Sequence, residues 1–140
     1  MTLVDLVMAV GVLGVMAGGI FGSFRYGLLT LQLVRENQRA TQVILEKVET
    51  IRLYSWDQVA NSPGFIPATF TDVYDPQATN GCQGATYHGT VTVTNCSLSS
   101  SYAANLRQLT VTLSWTTRDV PHTRSLTTYI AKDGIQNYVY

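Results

Sequence analysis

From Leu6 to Phe24 the chain runs 19 residues without an ionisable side chain. As an α-helix rising about 1.5 Å per residue, that run nearly matches the roughly 30 Å hydrocarbon core of a bilayer. A helix apolar on every side must face lipid or other apolar chains. Asp5, directly before the run, is the sole ionisable side chain in the first 24 residues. A carboxylate in a hydrocarbon setting costs roughly 2.5–3.5 kcal/mol at mid-membrane and less near an interface, so Asp5 is expected to have a partner. A chain-start α-amino group is positive at neutral pH and supplies one. The amine of its own Met1 is close, and that of a neighbouring chain is equally reachable if such helices pack side by side with an axial stagger.

Two simpler readings of this segment stand beside that one. A secretory signal begins with a basic region, whereas no Lys or Arg precedes Arg25 here. An ordinary membrane anchor would need no acid at the fifth position. The glycines Gly11, Gly14, Gly18, Gly19 and Gly22 also fall in the apolar segment. Each costs a helix interior about 1 kcal/mol relative to Ala, which makes Gly14 to Gly22 the weakest stretch. Small residues equally permit close approach of neighbouring membrane helices, and the two readings are compatible.

After Gly27 the pattern becomes that of an amphipathic helix. Leu31, Val34, Ile44, Leu45, Val48 and Ile51 recur mainly at steps of three and four, while Arg35, Glu36, Arg39, Glu46, Lys47 and Glu49 fill other faces. The first proline is Pro63, so the helix is expected to reach about Trp56 and to close at Asn61-Ser62-Pro63-Gly64. About 50 helical residues would extend some 75 Å, more than one small domain can cover. Pro63 to about Tyr87, rich in Pro, Gly, Asp, Asn and Thr, reads as a long surface connection anchored by Phe65, Ile66 and Phe70. Three runs then alternate as strands: Gly89 to Thr94, Leu109 to Thr116, and Ser125 to Ala131, with Thr117 to Thr123 as a connection.

The expected fold class is α+β: a long N-terminal helix, hydrophobic and then amphipathic, on a small antiparallel sheet with one apolar and one Thr-rich face. The expected layout is a hydrophobic half over 1–27 and a head over 28–140. Within the head, 28–56 is helix, 57–87 a variable loop, 88–131 the sheet and 132–140 an aromatic tail that packs or touches a neighbour. A head this small is marginal alone, so helix packing, a disulfide or assembly would support it.

Chemistry-bearing patterns are sparse. Nine basic and nine acidic residues give zero formal charge without a charged run, which removes the electrostatic case for nucleic-acid binding. The two histidines, His88 and His122, and the two cysteines match no zinc pattern. No nucleophile elbow, phosphate loop or metalloprotease motif occurs, so no enzyme activity and no cofactor are expected. Asn95-Cys96-Ser97 is a formal N-glycosylation triplet, and Ser97, Ser99, Ser100 and Ser101 form a candidate patch for O-linked sugar. Cys82 and Cys96 suit an oxidising compartment and are expected to form a disulfide, worth roughly 3 kcal/mol by loop closure. That bridge needs Cα atoms within about 7 Å, and therefore a strand that starts near Gly89 or a chain reversal around His88-Gly89; a strand running straight on from Thr86 holds the cysteines apart.

The opening Met1-Thr2-Leu3-Val4-Asp5, followed by an apolar helix, resembles the mature N-terminus of type IV pilins and type II secretion pseudopilins. Met stands for the usual Phe and the shorter Asp for the usual Glu, and the similarity in pattern extends over roughly residues 1 to 60. The resemblance implies a structural subunit of an extracellular helical filament of like subunits, most simply the pilin of a bacterial type IV pilus. A pseudopilin is the alternative within the family. A monomeric membrane-anchored binding module, using its Thr-rich sheet or variable loop, is the alternative from another class. The resemblance further implies a basic leader cut off before Met1, a prepilin peptidase and methylase acting at Met1, Thr2, Leu3 and Asp5, and a pilus assembly machinery. Single-pass residence in the inner membrane would precede assembly. It also favours a helix interrupted around Gly14, Gly18, Gly19 and Gly22 in the assembled filament, with Asp5 paired to a neighbour's N-terminal amine.

Overall fold

The computed structural model describes residues 2–61, 64–78, 83–99, 101–132 and 134. Its elements are helix α1 (Leu3–Arg52), helix α2 (Trp56–Ala60), strands β1 (Thr69–Val73) and β2 (Thr86–Asn95), a 3-10 turn (Ala103–Asn105), and strands β3 (Leu106–Thr117) and β4 (Val120–Ala131). The four strands form one antiparallel sheet in the order β1-β2-β3-β4. The chain divides into two compact units, one up to Arg35 and one from Glu36 onward. The boundary lies later than residue 27 because Leu31 and Val34 remain exposed and the first buried helical residue is Glu36.

In the first unit α1 is continuous, and none of the described residues before Glu36 is buried. In the second unit the helix buries Ala40, Val43, Ile44, Val48 and Ile51, a stripe at three- and four-residue steps. That stripe shares one core with Tyr87 and Val91 of β2, with Leu109, Val111, Leu113 and Trp115 of β3, and with Ile130 of β4. The strict alternation of β3 produces this: its odd positions from Leu109 to Trp115 are buried, while Ser114 and Thr116 are exposed. Cross-strand neighbours Thr92, Thr110 and Thr127 carry the polar face, and the Thr110 and Thr127 hydroxyls lie 3.1 Å apart. The fold is α+β, with the amphipathic part of the helix packed on the sheet.

Several expectations need correcting. Helix α1 ends at Arg52 rather than near Trp56, because Ser55-Trp56-Asp57-Gln58 is a capping box that starts α2; the Gln58 side chain accepts the Ser55 backbone N–H at 3.0 Å. The 57–87 region is not one loop: it contains most of α2, all of β1 and the start of β2. Of its three expected anchors Ile66 is buried, Phe70 is half-buried and Phe65 is exposed. Strand β4 begins at Val120, five residues before the alternating run read from sequence, because Arg118 and Asp119 make a two-residue turn with φ of 48° and 66°. Both positive values suit the mirror-type hairpin turn, which Asp accepts readily and Arg less so. Pro121 is tolerated because β4 is an edge strand.

Phe70 shows why Gly89 belongs in a strand otherwise built of Thr and Val. The two are directly opposed across β1 and β2, and a Cβ on Gly89 would lie 2.2 Å from the Phe70 ring. The ring also lies beneath Lys47, whose Nζ is 4.9 Å from its centroid. Gly89→Ala should displace the ring and destabilise the second unit by about 1–3 kcal/mol, read as a lowered thermal midpoint of the full chain in detergent micelles.

Candidate functional site

The N-terminal residues singled out from sequence come together as a helix cap. Thr2 N–H donates to Asp5 Oδ2 at 3.0 Å, and Asp5 N–H contacts Thr2 Oγ1 at 3.4 Å. Thr2 is thus the cap residue and Asp5 the acid three positions on, the reciprocal arrangement that satisfies two backbone donors left open at a helix start. Leu3 is the first helical residue and is 80 % exposed. Met1 lies outside the described residues. A carboxylate offers more acceptor positions than one N–H uses, so the cap orients Asp5 without exhausting it.

Downstream of the cap the helix presents an exposed apolar surface. Leu6, Val7, Met8, Leu13, Met16 and Phe21 are all more than half exposed. By length and composition α1 can cross a membrane, its most apolar window having a mean hydropathy of 2.2. Gly14, Gly18, Gly19 and Gly22 sit in regular helix, and a Cβ added at any of them would meet nothing within 4 Å. Among the described residues no packing requires these glycines. Gly19, Ser23 and Gly27 line a shallow apolar groove with Met16, Ile20 and Phe24, and the Ser23 hydroxyl is turned back onto Gly19 O at 2.9 Å. The polar atom is therefore satisfied along the helix rather than presented to a neighbour.

The second unit holds a polar collar around the first turns of its helix. The Thr117 hydroxyl donates to the Glu36 carboxylate, and Tyr87 OH donates to Glu36 O at 3.0 Å. Arg39 pairs with Asp72 at 3.8 Å, and Arg124 Nη1 reaches Thr41 Oγ1 at 2.7 Å and Asn37 O at 3.3 Å. One segment of helix is thereby tied to all four strands. Arg39 Nε and Trp115 Nε1 are buried without a hydrogen-bond partner among the described residues. Sequence reading missed this collar, because its partners lie as far as 87 residues apart in the chain.

The remaining candidates are dispersed. His88 is exposed on the Thr-rich face, while His122 stacks on Trp115 at 5.4 Å on the opposite face, so they cannot act as a pair. Among the described residues no group of three His, Cys, Asp or Glu side chains could hold a metal ion. Cys96 is half-buried just beyond β2, and Cys82 lies outside the described residues. The expected bridge therefore lies outside the described residues; β2 starts at Thr86, and Tyr74 and Asp75 continue the pairing to Ala85 and Gln83 at 2.9 and 3.0 Å. Ser97, Ser99 and Ser101 are exposed, and Ser100 lies outside the described residues. No protein-family model, curated protein or solved structure matches the chain.

Tyr87 gives the collar a measurable signature. Burial, followed by the nearby Glu36 and Tyr74, pushes its phenol from 10.0 up to about 12, with Arg39 opposing. The folded state thus favours the neutral phenol, so this contribution is complete below the ordinary value near 10 and is lost as pH rises through about 12. Tyr87→Phe should cost about 1 kcal/mol at neutral pH through the lost bond to Glu36 O, and should flatten the decline in stability between pH 10 and 12. Circular-dichroism melts across that range check both effects.

Proposed function

We propose that this chain is a structural subunit of a helical filament, built by lateral packing of the Leu3–Arg35 segment with the same segment of like subunits. The observation that carries the reading is an unburied apolar helix whose glycines no contact among the described residues requires, headed by an oriented carboxylate. Lipid alone would explain the apolar surface, but it gives no reason for an acid at the fifth position or for several glycines that weaken the helix. A bundle of like helices explains both: small residues allow close approach, and Asp5 meets a neighbour's terminal amine where neither charge can remain unpaired. The subunit would wait in the inner membrane with its second unit outside the cytoplasm and pass from lipid to bundle on assembly. A type IV pilus is the preferred form and a type II secretion pseudopilus the alternative; in either, the role is structural rather than catalytic.

Asp5→Ala should leave the chain in the membrane fraction and reduce fibres seen by negative-stain electron microscopy to few or none. Fibres of normal number and length from that variant would sink the reading. The isolated chain is helical through Gly14 to Gly22, and the proposal places an interruption there in the filament only. A filament density map resolving backbone hydrogen bonds should show the usual helical pattern lost within that stretch; an unbroken helix from Leu3 onward would remove this part of the proposal.

A further inference from the structure

Beyond the C-terminal end of α1 the helix no longer covers the sheet, and α2 closes the gap. Beneath α2 lies a cavity of about 350 Å³ lined by Val59, Ala60, Val93, Thr94, Asn95 and Arg107. Asn95 and Arg107 are directly opposed across β2 and β3, on the face that farther along carries Val93 and Leu109. Arg107 is half-buried, and among the described residues Nη1 donates to the carbonyls of Ala104 and Leu106 at 3.3 and 3.2 Å. Its guanidinium carbon lies 5.3 Å from the centroid of the Trp56 ring, which α2 places there. Among the described residues the Lys and Arg ion pairs are Arg39–Asp72 and Arg52–Glu49, and neither involves Arg107.

A half-buried cation that pairs with no carboxylate among the described residues, held by an aromatic face and by two carbonyls on one nitrogen, is a preorganised anion receptor. The guanidinium has five N–H donors, so donors remain for a ligand after these two bonds. Its plane is already fixed, which lowers the entropy lost when a planar oxyanion is taken by two parallel hydrogen bonds. Asn95 adds an amide able to donate and accept, suited to hydroxyls, while Val59, Ala60 and Val93 offer apolar contact to C–H groups. The volume is near the lower end of the roughly 300–1,000 Å³ usual for small-ligand sites, which fits one ring-sized unit.

We propose that this cavity binds a sugar acid, with Arg107 taking the carboxylate and Asn95 the ring hydroxyls. The site is independent of the filament reading, since it uses only the second unit. The test is calorimetric titration of the full chain in detergent micelles with galacturonate, trigalacturonate, neutral galactose and a short acidic peptide. Galacturonate should bind roughly tenfold or more tightly than galactose, and Arg107→Gln should remove that preference. Arg107→Lys should retain part of it as a point charge. Ala60→Leu fills the cavity without touching Arg107 and should weaken galacturonate even if Arg107→Gln impairs folding. Trigalacturonate binding more tightly than the monomer assigns the site to polymer-linked sugar acids, and equal binding assigns it to free ones; both support the proposal. No binding of galacturonate, equal binding of galactose, preference for the acidic peptide, or unchanged binding by both Arg107→Gln and Ala60→Leu overturns it.

Discussion

Everything in the second unit depends on the apolar stripe of α1 meeting the apolar face of the sheet. Neither surface survives alone in water: the stripe from Ala40 to Ile51 would expose five aliphatic side chains, and β3 would expose Leu109, Val111, Leu113 and Trp115. Brought together they account for most of the buried residues, with Tyr87 of β2 at one end of the contact and Ile51 near the other. Because helix and strands pack face to face, the sheet's second face is free to be polar, and rows of Thr occupy it. Packing of apolar side chains is nondirectional, however, and would tolerate some sliding of the helix over the sheet. The collar of Glu36, Arg39, Asn37 and Thr41 adds directional bonds to each strand and so fixes the register.

The sequence was most legible where a pattern is local. The alternation of Leu109 to Thr116 declares a strand with one buried face, and Ile44, Val48 and Ile51 declare a helical stripe; both readings hold. Leu31 and Val34 continue the same period and yet are exposed, because periodicity reports an apolar face without saying whether its cover lies in the same chain. Strand β1 was missed because Thr69–Val73 is short, contains Asp72 and lies in a stretch of turn residues; its pairing with β2 outweighs its weak local preference. The break after Arg52 was readable in principle from Ser55 and Gln58, whose spacing is that of a capping box.

The candidate sites divide in the same way. Asp5 was legible because a lone acid in an apolar segment is conspicuous in one dimension. Arg107 was not, since its surroundings of Trp56 and Asn95, and the lack of a paired carboxylate among the described residues, are not revealed by its immediate neighbours in sequence. The polar pairing of Thr117 with Glu36 is likewise invisible until the β3–β4 hairpin turn at Arg118-Asp119 brings Thr117 to the helix.

The cap at Asp5 reconciles a local role with an intermolecular one. In the isolated chain the carboxylate accepts the Thr2 N–H, a bond that would by itself justify an acid three residues into the cap. Such a cap is available to any soluble helix, and it is satisfied by Ser, Thr, Asn or Gln chemistry without a full charge. What the charge adds is attraction over distance and a requirement for neutralisation in an apolar surround. Holding the carboxylate by the cap fixes its direction at the helix start, while the acceptor capacity left over stays open to a cation. In the proposed filament the cap would reduce the side-chain freedom lost on pairing with a neighbouring amine, so local capping and intersubunit pairing would be successive uses of one carboxylate rather than competing explanations of it.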